Sequence, residues 1–80
     1  MKLYLVDMLD PGKEGHRWDY YDQYVCAAKD EEQARAMGPR WPEGPRYTWS
    51  SDPTNVKVTL LGNAVRGTQQ SIICASFNAG

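Results

Sequence analysis

Residues 18–39 read W-D-Y-Y-D-Q-Y-V-C-A-A-K-D-E-E-Q-A-R-A-M-G-P, and the change of character half-way along decides the fold class. As far as Ala28 the stretch is aromatic and β-branched, with Trp18, Tyr20, Tyr21, Tyr24 and Val25 leading into small residues. It reads as a strand over Trp18–Ala28. From Asp30 the pattern turns helical. The Asp30 side chain is placed to accept from the free N–H groups of a first helical turn, and Gln33, three residues on, to reach back as in a capping box. Asp30, Glu31 and Glu32 put negative charge at the positive end of the helix dipole. Ala34 and Met37 recur at helical spacing and are expected to face a sheet, and Gly38-Pro39 ends the helix. At about two turns, such a helix depends on docking for its stability.

Working outward, residues 2–9 alternate as a strand, with Leu3 and Leu5 on one face and Tyr4, Val6 and Met8 on the other. Apolar groups on both faces predict an interior strand. The D-P-G-K-E-G-H-R segment that follows is expected to close a hairpin loop. Downstream, residues 38–55 hold four prolines and two glycines, which exclude regular structure through most of the stretch. A loop of this length in so small a domain is usually functional or disordered, and Trp41, Tyr47 and Trp49 argue for order. Val56–Leu61 and Gln70–Phe77 alternate as two further strands, with a turn expected to begin at Leu61-Gly62-Asn63. The expectation is therefore a single α+β domain over residues 1–80, in the order β-β-α-β-β. Its four-stranded, mainly antiparallel sheet carries one short helix on one face. A single helix leaves the other face uncovered, and apolar residues on both faces of three strands predict a homo-oligomer.

A chain of 80 residues buries only about 60% of the surface its unfolded form exposes, so its stability margin is narrow. The 41% hydrophobic and 24% charged content is that of an ordinary globular protein. A net charge of −1 argues against polymeric nucleic acid and anionic membrane as partners, since both call for a basic surplus. The apolar start is broken by Asp7 and Asp10 and reads as a strand, not a signal peptide, and no run approaches the ~20 residues of a membrane span. Cys26 and Cys74 sit in apolar strand segments and are expected to be buried free thiols, a disulfide between neighbouring strands being the alternative. No C-x-x-C is present and His16 is the only histidine, so neither a metal site nor a cofactor is expected.

Nothing in the sequence reads as an enzyme. The carboxylate pairs Asp7/Asp10, Asp19/Asp22 and Glu31/Glu32 show no setting that would drive their pKa values apart. No G-x-S-x-G, P-loop or Cys-His pairing is found. The aromatic and arginine residues carry more. Arg17, Trp18 and Tyr21 gather on the second strand and its approach, and Arg40, Trp41, Arg46 and Trp49 in the proline-stiffened loop. Some of these rings are core in any small domain. Together they are also what a nucleotide requires: rings stack on bases, and guanidinium groups clamp phosphate. Asp19 and Asp22 are unfavourable strand residues, held either by a turn or bulge hydrogen bond or by ring N–H or ribose hydroxyl groups of a ligand.

The order W-D-Y-Y-D-Q-Y-V-C-A-A (18–28), the acidic helix start with Ala34-Arg35, Trp49 ahead of V-x-V-x-L-L-G (56–62), and the ending I-C-A-S-F-N-A-G (73–80) resemble a widespread group of short phage and prophage proteins. These typically read Y-D-x-Y-D and end in S-F-N-A-G. Trp18 stands where the first tyrosine is usual, and Tyr24 where a small residue is usual. The resemblance implies a host-facing task in the cytoplasm of an infected bacterium, with counter-defence first among such tasks. It adds Phe77 and Asn78 of the terminal pentapeptide to the candidate ligand-binding residues. The expected function is that of a sponge, which sequesters a nucleotide immune second messenger of the cyclic oligonucleotide or cyclic ADP-ribose type without cleaving it. The alternative is a small inhibitor that blocks a host protein, with the Trp41–Trp49 loop as its anchor.

Overall fold

The computed structural model describes residues 1–10, 12, 20–38 and 53–78, with Pro53, Phe77 and Asn78 described by their backbone. Four strands and one helix follow in the expected order: β1 (Lys2–Met8), β2 (Tyr20–Ala28), α1 (Glu31–Ala36), β3 (Val56–Asn63) and β4 (Ser71–Asn78). A 3-10 turn, Pro53–Asn55, leads into β3. The sheet order is β3-β1-β2-β4, and every neighbouring pair is antiparallel. Because β1 is antiparallel to both its neighbours, β2 and β3 run parallel on either side of it. β1 is the interior strand that its two apolar faces predict.

The alternation of β1 sets the two faces. Tyr4, Val6 and Met8 are buried in one cluster with Tyr20, Tyr24, Cys26, Ala28, Val56 and Ala34 of α1. Burying a side chain such as Val6, fully inaccessible to solvent, stabilises the fold by about 1.5–3 kcal/mol. Leu3, Leu5 and Asp7 turn to the face away from α1 and are half-buried. On that face Leu5 stands opposite Thr59 and Val25, and Val25 opposite Cys74.

The helix is capped as its residues require. Asp30 Oδ1 accepts from the Gln33 backbone N–H at 2.8 Å. Gln33 Oε1 reaches one residue further back than a capping box does, accepting from the Lys29 N–H at 2.8 Å. At the other end, the Met37 N–H closes on the Ala34 carbonyl.

Two sequence expectations are corrected. β3 does not end at Leu61: it runs to Asn63, with Leu61 as the extra residue of a bulge between the Leu3–Gly62 and Tyr4–Leu60 pairs. Gly62 follows at φ 155°, a backbone state that residues with side chains rarely adopt, so this glycine serves the bulge and not a turn. The chain turns later, where Thr68 donates to the Val65 carbonyl at 3.0 Å. Gly67 supplies the positive φ, 92°, that the third position of a type II turn requires. The second correction concerns Cys74, which is exposed on the edge strand β4 while Cys26 is buried. Cys26 pairs with Tyr4 on the helix side and Cys74 with Val25 on the other, so the sheet separates the two thiols and both are free.

Candidate functional site

One end of the sheet collects the places where β1 finishes, β2 and β3 begin and β4 finishes. The pairs Met8–Val56, Tyr21–Phe77 and Tyr20–Asn78 all lie there. Asn55, 3% exposed, locks this end. Its side-chain amide donates to the Asp10 carbonyl at 2.8 Å, and its Oδ1 accepts from the Asp10 N–H at 2.9 Å. The Leu9 N–H donates to the Asn55 carbonyl at 2.8 Å. Asn55 thus extends the β1–β3 ladder with its own side chain standing in for backbone. The sequence gives little sign of this, since Pro-Thr-Asn ahead of a strand reads only as turn residues.

The second strand enters this end through a bulge. Tyr21 faces Phe77 and Gln23 faces Ser76, which leaves Asp22 as the extra residue. Its Oδ1 is shut off from solvent and, among the described residues, has no hydrogen-bond partner. An acceptor left in that condition costs about 1–3 kcal/mol. The reading of Asp22 as the acceptor of a turn or bulge hydrogen bond does not hold for this oxygen. Tyr21 beside it is half-buried and packs against the core cluster.

Further along, three groups that resemble reactive ones are structural. The Tyr24 hydroxyl donates to the Ala34 carbonyl and, at 3.4 Å, to that of Arg35, fastening the C-terminal turn of α1 to the sheet. Burial, with a smaller contribution from Cys26, holds its hydroxyl well above the usual phenol range, and Arg35 opposes this only in part. Burial likewise pushes the Cys26 thiol up, away from the thiolate a nucleophile needs. Arg35 donates to the Val56 carbonyl at 2.8 Å and pairs with Glu31 at 3.1 Å, so its guanidinium bridges helix and β3.

Of the residues expected to bind ligand, Tyr21 is half-buried at the bulge, and Phe77 and Asn78 lie opposite Tyr21 and Tyr20 in β4. Arg17, Trp18, Arg40, Trp41, Arg46 and Trp49 lie outside the described residues, as does Asp19. Among the described residues no group of three or more His, Cys, Asp or Glu side chains could hold a metal ion, and no helix is long and apolar enough to cross a membrane.

The chain matches no known family model, no curated protein and no solved structure.

Proposed function

We propose that this chain is a binding protein that sequesters a nucleotide second messenger of bacterial immunity, of the cyclic oligonucleotide or cyclic ADP-ribose type, and releases it unchanged. The observation that carries the reading is Asp22 Oδ1, a solvent-excluded acceptor without a donor among the described residues, at the sheet end shared by Tyr21 and the backbone of Phe77 and Asn78. Base amino and imino N–H groups and ribose hydroxyls are the donors such an oxygen lacks. The described residues Tyr20 and Asn55, at the borders of the Arg- and Trp-bearing segments, belong to the same end. The sequence flanking these two residues holds Arg17, Trp18, Arg46 and Trp49, the residue types that stack on bases and clamp phosphate.

The test is a thermal-shift screen with cyclic dinucleotides, cyclic trinucleotides and cyclic ADP-ribose isomers, repeated with Asp22→Ala. The expected result is a rise in Tm with one of these classes, loss of that rise in the variant, and recovery of intact ligand after denaturation. Silence across the whole panel refutes the reading. A degraded ligand would make the protein an enzyme, and stable capture of one host protein without any nucleotide response would make it an inhibitor.

A further inference from the structure

The sheet has two edges, β3 and β4, and they are built differently. On β3 the exposed Lys57 projects from the strand, and the Leu61 bulge interrupts its line. Charges and bulges are the usual protection of a strand edge against pairing with other chains. β4 carries no charge at all: Arg66 is the last charged residue, and Thr68–Gly80 is uncharged throughout. Residues 71–75 are all exposed, Ile72 by 36% and Ile73 by 53%. The bulge in β4 falls at Ile73, near the start of the strand, and puts an isoleucine into solvent where a protected edge would place a charge.

We propose that β4 is a dimerisation edge, pairing antiparallel with β4 of a second copy to form one continuous eight-stranded sheet. Two identical strands related by a two-fold axis perpendicular to the sheet each offer the other the outward N–H and C=O groups of β4, which no described strand pairs. Because opposed residues must share a face, such an axis sets one residue opposite itself. An axis at Ala75 sets Cys74 opposite Ser76 of the partner subunit within the regular run that follows the bulge, whereas an axis at Cys74 would oppose Ser76 to Ile72, which the bulge places on the other face. The strand meets its own copy without like charges in opposition, and a net charge of −1 on the whole chain adds little repulsion. A foreign strand, by contrast, would find no charged side chain on β4 to select it. In that register the Cys74 thiol approaches Cys74 of the partner subunit on the diagonal, at roughly 7–8 Å between side-chain roots. The pairing does not depend on whether the chain binds a nucleotide.

The experiment needs no ligand. Light scattering after size exclusion follows mass across a concentration series under reducing conditions. A short bismaleimide then cross-links the native chain, and peptide mass spectrometry locates the link. The expected result is a doubling of mass with concentration, a Cys74–Cys74 link, and loss of both in Ser71→Lys/Ile73→Lys. Both substituted positions are solvent-facing, so the variant should melt at low concentration where the parent does. A chain that stays monomeric to its solubility limit overturns the proposal. So does a dimer that survives the two lysines or never links through Cys74.

Discussion

Tyr24→Phe isolates one of the contacts that tie α1 to the sheet, the hydroxyl's bonds to the helix carbonyls. Tyr24 is 1% exposed, so phenylalanine keeps the buried ring and removes only the hydroxyl. The Ala34 carbonyl that loses this donor still accepts from the Met37 N–H at 3.3 Å. The cost therefore belongs at the lower end of the range for a broken buried hydrogen bond, about 1 kcal/mol. In a domain of this size that lowers Tm by roughly 4–8 °C at neutral pH. The same side chain predicts a reversal in alkali. With its folded-state pKa raised above the ordinary value of 10.0, Tyr24 stabilises the fold fully below that pH. It loses that contribution as the unfolded chain begins to ionise above it. One pH unit higher the loss amounts to about 1 kcal/mol once solvent screening is allowed for. Phenylalanine is immune to it, and the other tyrosines and the cysteines cancel between the two proteins. The parent and variant Tm values should then converge near pH 11. Thermal melts by circular dichroism at pH 7, 9, 10 and 11 measure this. Equal Tm values at pH 7, or a deficit that persists unchanged at pH 11, would refute the reasoning.

Asn55→Ala removes two hydrogen bonds to the Asp10 backbone and leaves a void at a residue only 3% exposed. A loss of about 2 kcal/mol in denaturant unfolding is expected, with faster amide exchange at Leu9 and Asp10. The two thiols should separate kinetically: under native conditions a maleimide labels Cys74 within minutes, while Cys26 reacts only on unfolding. Simultaneous labelling of both would mean that the helix side of the sheet opens readily.

The elements were legible where local chemistry and burial agree. β1 alternates cleanly because it is central and each face meets a different environment, and Asp30 announces the helix because its side chain does the capping itself. Legibility fails where the deciding partner is distant in sequence. Gly62 looks like a turn residue, and only its pairing opposite Leu3 reveals a bulge inside a longer strand. Cys74 sits in as apolar a run as Cys26, but strand order puts β4 at an edge and β2 inside, and no local pattern encodes that order. Asp22 was recognisable as an ill-suited strand residue, although its unsatisfied oxygen became visible only with the Tyr21–Phe77 register. Asn55 had no signal of its own, since its partner lies 45 residues earlier.

The strand order also constrains how the protein is made. β2 pairs on one side with β1, which is already synthesised when it appears, and on the other with β4, which comes some fifty residues later. On the ribosome the outer edge of β2 must therefore wait uncovered while the helix, the long connection and β3 are translated. Any strand of matching shape that reaches it first competes with the chain's own. The pairs of β3 with β1 span as much chain as those of β4 with β2, so bringing β3 and β4 back onto the β1–β2 pair is the step most exposed to loop-closure entropy, and thus the one expected to limit folding.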